Sequence, residues 1–215
     1  MLRYLFVLCF LVSALGLSGQ VGITGFYNFN DARFVGEFAD PNNNELPYNH
    51  GSEVALNYWF RLPTKRVEFQ PTLYYARSRS QSNWREAGFQ FKTNFYLFDF
   101  GTDCDCPTFG KQGPQLEKGF FIQLSPGVAR HWQATPGLSD KAKMAFTLGA
   151  GIGLDFGVSN LLTLTPIASV RHSVTNIVSF DYTDENNVPV GDGAGRLTSF
   201  QLGLQATIRL DKRRY

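Results

Sequence analysis

The sequence predicts an all-β protein, an eight-stranded antiparallel up-and-down transmembrane β-barrel preceded by a cleaved signal peptide. Three observations carry this expectation. A short apolar run with a basic flank opens the chain. Segments of strict period-two alternation fill the rest. Tight joins alternate with longer polar ones, with one exception. Of 215 residues, 43% are hydrophobic, 15% aromatic and 18% charged, against roughly 25% charged in an ordinary soluble protein. This composition excludes a disordered chain, a collagen-like repeat and a disulfide-dense scaffold. A formal charge of +2 gives no field that would attract nucleic acid.

The elements follow in chain order. Arg3 precedes the apolar run Leu5–Leu17, and Ser18-Gly19 supply small residues for cleavage. That is the layout of a secretory signal peptide over residues 1–19, too short for a span of about 20 apolar residues. Its removal near Gly19 or Gln20 takes away one Arg and no acid, so the mature charge falls from +2 to +1. Cys9 lacks the small-residue context of a lipidation site. The mature barrel then occupies residues 20–215.

A first strand is expected near 21–30. Next, Val54, Leu56, Tyr58, Phe60 and Leu62 alternate with Glu53, Ala55, Asn57, Trp59 and Arg61. After Pro63-Thr64-Lys65, Val67, Phe69, Pro71, Leu73 and Tyr75 alternate with Glu68, Gln70, Thr72 and Tyr74. The pattern returns from Phe89 to Leu97, over 119–132, over 144–156, over 160–173 and over 198–210. Residues 144–156 are the clearest case, with Met144, Phe146, Leu148, Ala150, Ile152, Leu154 and Phe156 on one face. Period two is the signature of strands with unlike faces. The count is eight strands and no helix. Segments 31–51, 78–85, 133–142 and 175–196 read as polar loops, and the stretch 103–118 breaks the rule of short joins at the other end. Short turns at one end and longer loops at the other suit an outer-membrane barrel, periplasmic and extracellular respectively.

Periodicity alone leaves open which face is inside. An inward apolar face would make a soluble eight-stranded barrel that binds an apolar ligand. Three features favour the outward choice. The strands are long enough for the 9–11 residues that cross a bilayer at a tilt. Glu53, Arg61, Glu68, Lys92, Asp155, Arg171 and Arg209 share the other face with several glycines, which suits a small polar lumen crossed by ion pairs. Aromatics crowd the strand ends at Tyr27, Phe29, Trp59, Phe60, Tyr74, Tyr75, Phe98, Phe100 and Trp132, as in the belts at membrane interfaces.

Two resemblances add to this reading. The run Gln201-Leu-Gly203-Leu-Gln-Ala206-Thr-Ile208 resembles the last-strand signal read by barrel-assembly machinery, followed by an extra basic tail from Arg209 to Tyr215. The segment Leu56–Tyr75, with Phe69-Gln-Pro-Thr-Leu-Tyr-Tyr75, is similar to the "LQPELLYS"-like hairpin of the Bacteroidota outer-membrane β-barrel family that includes PorT-like proteins of the type IX secretion system. The resemblance implies the fold and the cell outer membrane as location. The family is functionally diverse, so it implies no single activity and no catalytic or ligand residues to carry over.

Chemistry-bearing motifs are few. Cys104-Asp105-Cys106-Pro107 holds both cysteines left after signal removal. A disulfide is the default for an exported protein, but a Cys-x-Cys ring strains the preferred geometry. An intermolecular bond, a metal role or free thiols are the alternatives, and a metal would need ligands beyond two thiolates and an Asp. The Gly/Pro-punctuated segment 103–118 is the best candidate for a periplasmic contact. His50, His131 and His172 are expected near the extracellular rim, and adjacent His172 and Ser173 point to opposite faces. That invites a lipid-modifying enzyme, but no carboxylate is placed by pattern to orient either. Gly149-Ala-Gly-Ile-Gly153 lacks the Lys-Ser/Thr of a phosphate loop. Its glycines are expected to make room for Trp59 or Phe121. The Asp/Asn clusters of 40–45 and 181–187 fit no EF-hand spacing.

The function expected is that of a non-enzymatic outer-membrane barrel with a structural, assembly or partner-binding role, linked by resemblance to type IX secretion. A small outer-membrane pore and a soluble apolar-ligand barrel are the alternatives. No cofactor or metal is expected. The expected partners are outer-membrane lipid, the barrel-assembly machinery during biogenesis, a periplasmic protein through 103–118, and no nucleic acid.

Overall fold

The computed structural model describes residues 20–35, 49–61, 67–78, 84–97, 119–132, 142–159, 161–183 and 189–208. The signal segment, the 103–118 segment with Cys104 and Cys106, and the tail from Arg209 lie outside the described residues. The strands are β1 Gln20–Val35, β2 His50–Arg61, β3 Val67–Ser78, β4 Arg85–Tyr96, β5 Phe120–Trp132, β6 Lys143–Leu154, β7 Phe156–Gly157, β8 Leu162–Ser173, β9 Val178–Thr183 and β10 Pro189–Ile208. Among the described residues there is no helix.

Eight of these strands close a ring in the order β1-β2-β3-β4-β5-β6-β8-β10, with β1 pairing β10 to seal it. All pairings are antiparallel. The chain is thus a closed eight-stranded antiparallel β-barrel. The two-residue β7 carries the line of β6 past Asp155 and pairs only with β8. β9 pairs only with the first part of β10. We call the end that holds Gln20 and Ile208 the lower end and the opposite one the upper end.

Closure removes the exposed edge that an open sheet would present. The interior of so narrow a ring is filled by side chains. Apolar groups form three clusters there: Ala32, Ala76, Trp84, Ala145, Ile177 and Leu197 at the upper end; Ala55, Tyr74 and Ala129 below it; and Phe26, Tyr96, Phe121 and Ile167 toward the lower end. Phe121 fits because Gly153 faces it, where an added Cβ would collide with the ring. Tyr74 lies against Gly88 in the same way.

Several boundaries differ from the sequence expectation. β1 runs to Val35 rather than ending near 30, and β4 begins at Arg85 rather than 89. Toward the upper end charged residues such as Arg33 and Arg85 appear on the outer face while Ala32 and Trp84 turn inward, so alternation of hydropathy fades while the ladder of backbone hydrogen bonds continues. The same holds for 175–196, read as a loop. It contains β9 and the start of β10, a ribbon that stands above the barrel rim. Val178-Ser-Phe180-Asp-Tyr182 alternates in strand fashion, a pattern hidden by the Asp and Asn residues that follow it.

Candidate functional site: a filled polar lumen

Burial decides the orientation that periodicity left open. Ile23, Leu56, Leu73, Phe146, Leu202 and Leu204 are 52–64% exposed on the outer face. Their chain neighbours Thr24, Asn57, Thr72, Thr147 and Gln205 are buried inside. The soluble-barrel alternative required the reverse, an apolar lumen, and the polar lumen overturns it.

Aromatics ring the outer face at both ends. Phe60, Phe69 and Phe91 form a row across β2, β3 and β4 with centroids 5.5 Å apart at each step. Tyr27 and Phe29 meet edge to face at 5.0 Å near the upper end, and His50 stacks on Tyr27 at 6.0 Å. Two residues assigned to these belts by sequence belong elsewhere. Trp59 shares the parity of Glu53 and Asn57, Tyr74 that of Gln70 and Thr72, and both turn inward, where Trp59 Nε1 donates to Glu68 Oε2 at 2.5 Å and Tyr74 OH donates to Glu86 Oε1 at 2.5 Å.

The lumen side chains form two charged layers joined by an amide layer. In the upper layer Arg171 Nη2 lies 2.9 Å from Glu53 Oε2 and 3.3 Å from Glu86 Oε2, all three side chains being at most 3% exposed. The Arg171 guanidinium also covers the Tyr74 ring at 4.2 Å. Gln201 Nε2 donates to Glu53 Oε2 at 2.9 Å. In the middle, Asn57 Nδ2 donates to Thr24 Oγ1, Gln70 Nε2 donates to Gln205 Oε1 at 2.9 Å, and Thr72 Oγ1 donates to Asn57 Oδ1 at 2.9 Å. In the lower layer the Tyr96 hydroxyl sits between two carboxylates, 2.6 Å from Glu68 Oε2 and 2.8 Å from Asp155 Oδ2. Thr165 Oγ1 donates to Asp155 Oδ1 at 2.5 Å.

Of the residues singled out by sequence, Glu53, Glu68, Lys92, Asp155 and Arg171 all point into the lumen. Glu53 meets Arg171, and Glu68 meets Asp155 through Tyr96. Lys92 lies apart from both: its Nζ is 5.1 Å from the Phe26 ring centre, and among the described residues no carboxylate is within ion-pair distance of it. Arg61 stands opposite Glu68 in the β2–β3 register, its side chain outside the described residues. Arg209 lies outside them, as do Cys104 and Cys106. Glu86 was missed. Carrying the alternation of Phe89 and Phe91 back through Ala87 would have placed it inside.

The three histidines lie toward the upper end as expected, but they diverge. His131 is buried in the lumen and stacks on Trp84 at 5.9 Å. His172 is exposed, with Nδ1 2.9 Å from Thr198 Oγ1, and Ser173 faces the other way. His50 is outside on the aromatic belt.

Among the described residues this arrangement packs the lumen with buried side chains, many of them hydrogen-bonded to one another. A cavity of about 10 Å³ opens among Gln20, Trp59, Asn94, Tyr96 and Asp155 at the lower end, room for about one water molecule. A closed barrel with a polar filled interior and an apolar, aromatic-edged exterior is a barrel of the outer-membrane type.

Searches against family models and curated proteins return no match. Similar solved structures are surface protein A of Neisseria (10% identity, 88% of this chain and 97% of that one, TM-score 0.47), Ail of Yersinia pestis (11%, 89% and 99%, 0.44) and the N-terminal barrel domain of OprF from Pseudomonas aeruginosa (14%, 86% and 98%, 0.39).

Proposed function

We propose that this chain is a non-enzymatic barrel of the Gram-negative outer membrane that serves as a structural, assembly or partner-binding component of the envelope. The observation that carries the reading is the inside-out distribution of residues, apolar and aromatic outside, charged and amide-rich inside. Only a bilayer rewards such an exterior. The end that bears Gln20 and Ile208 faces the periplasm in this reading, and the rim with the β9–β10 ribbon faces outward. The filled lumen favours a plug over a pore. The divergence of His50, His131 and His172 speaks against a shared catalytic centre. The likeness of Leu56–Tyr75 to the PorT-like hairpin puts type IX secretion first among the systems in which to seek a partner, with segment 103–118 as the periplasmic contact.

Cell fractionation with gel migration before and after boiling tests the location. An outer-membrane band that shifts on boiling supports it, and a soluble periplasmic protein without the shift refutes it. In planar bilayers the purified barrel is expected to give no steady conductance. Lipid A from a deletion strain is expected to be unaltered. Shortening 103–118 is expected to abolish co-purification of a periplasmic protein, and unchanged co-purification refutes that contact.

A further inference from the structure

The outer face carries arginines that the lumen chemistry does not use. Two arginine pairs stand directly opposite each other in the barrel register: Arg33 with Arg196, and Arg77 with Arg85. Like charges directly opposite are destabilising unless something neutralises them. For Arg33 that group is Asp31, 2.9 Å away. Nothing comparable serves the second pair: among the described residues, no carboxylate lies within ion-pair distance of Arg77, Arg85 or Arg130.

The register gathers these three on one patch. Arg77 faces Arg85, which faces Trp132 across β4 and β5. One step lower, Tyr75 faces Ala87, which faces Arg130. Arg77, Arg85 and Arg130 are all exposed, and the Arg130 guanidinium lies 5.2 Å from the Trp132 ring centre. Ala87, between them in the register, carries only a methyl group. Directly below begins the apolar face, with Leu73 opposite Phe89 opposite Val128. So three guanidinium groups, flanked by a Tyr and a Trp, sit at the upper border of the lipid-facing zone, where head groups lie.

We infer that Arg77, Arg85 and Arg130 form a binding site for the phosphate of a phosphorylated, acylated lipid of the outer leaflet. Guanidinium groups bind phosphate through paired charge-assisted hydrogen bonds. The acyl chains of the same molecule would lie on Leu73, Phe89 and Val128. A free anion would gain the first contact and not the second, which commits the site to lipid. The inference rests on the outer-membrane reading above.

The test uses the full mature chain in phosphatidylcholine nanodiscs that carry either phosphorylated lipid A or the same glycolipid without phosphates, with retained lipid counted by native mass spectrometry. Wild type is expected to retain the phosphorylated form selectively, in the presence of excess inorganic phosphate. R77Q/R85Q/R130Q is expected to lose that preference by about tenfold or more, given the contribution of each basic residue at an anionic surface. R33Q/R196Q is expected to keep it. Equal retention of both glycolipids by wild type overturns the site, as does full retention by the triple variant or displacement by inorganic phosphate. Migration before and after boiling is read on every sample. A wild type that neither inserts nor shifts overturns the membrane reading and the site together; one that inserts and shifts without preference overturns the site alone.

Discussion

Replacing Arg171 by Met removes the guanidinium that Glu53 and Glu86 share. The perturbation is severe because both carboxylates stay behind, each about 1% exposed. Their remaining donors are neutral. Gln201 keeps a 2.9 Å bond to Glu53, and Tyr74 keeps its bond to Glu86. Tyr74 meanwhile loses the cation above its ring. Removing one partner from a buried ion pair costs about 3–5 kcal/mol, and the neutral donors that persist put the expected loss near the lower figure, about 3 kcal/mol. Urea unfolding in phosphatidylcholine vesicles reads this out, followed by tryptophan fluorescence and by gel migration. The midpoint should fall while the slope stays constant, as the surface exposed on unfolding is unchanged. The variant E53Q/E86Q/R171M should recover more than half of the loss, because amides are less costly to bury than unpaired carboxylates. A loss below about 1 kcal/mol for R171M, or no recovery in the triple variant, would refute the claim that these three side chains act as one unit.

Three further outcomes are expected. Gly153→Val forces a side chain into the Phe121 ring and should cost about 1–3 kcal/mol in the same unfolding assay, with Phe121→Ala in the same chain restoring part of it. Leu202→Arg places a cation on the outward face, where Leu202 is 56% exposed; it should cost about 2–4 kcal/mol in vesicles, whereas a water-facing position would tolerate it. Trp84→Ala removes the largest member of the upper apolar cluster and should cost about 3–5 kcal/mol in the same unfolding assay.

How much of this was legible depends on which physical signal each feature leaves in the sequence. The walls were readable because a bilayer outside and a polar lumen inside impose opposite demands on successive residues. Leu202 and Gln205, or Leu73 and Thr72, report their face by type alone. Aromatics carry no such label. Trp59 and Tyr74 were read as belt residues since a Trp or Tyr suits both an interface and a lumen where its polar atom meets a carboxylate. The strict alternation held the answer, as Trp59 shares parity with Glu53 and Asn57. The charged partners were harder. Glu53 and Arg171 lie on strands far apart in sequence, and only the closure of the ring across β8 and β10 brings them together. Glu86 escapes a reading that starts β4 at Phe89, three residues beyond it. The ribbon of β9 and β10 is hard to read because Asp, Asn and Gly residues interrupt its alternation between Asp181 and Gly195.

The layering of the lumen bears on where function can reside. The upper apolar cluster covers the Arg171 layer from above, and the lower cluster shares Tyr96 with the Glu68–Asp155 layer. Enclosure lowers the local dielectric, which strengthens each fixed hydrogen bond and raises the cost of any unpaired group. Such an interior resists change: a substitution there alters stability before it alters anything else. The apolar girdle is equally committed, since a charge on it is penalised by lipid. What remains free to vary without unfolding the barrel is the rim, its ribbon and the joins. Activity that depends on recognition therefore belongs to those surfaces, and the arginine patch of β3, β4 and β5 is one place where the barrel wall itself takes part. If substitutions across the lumen changed partner or lipid selection while leaving the urea midpoint fixed, this division of labour between wall, interior and rim would be wrong.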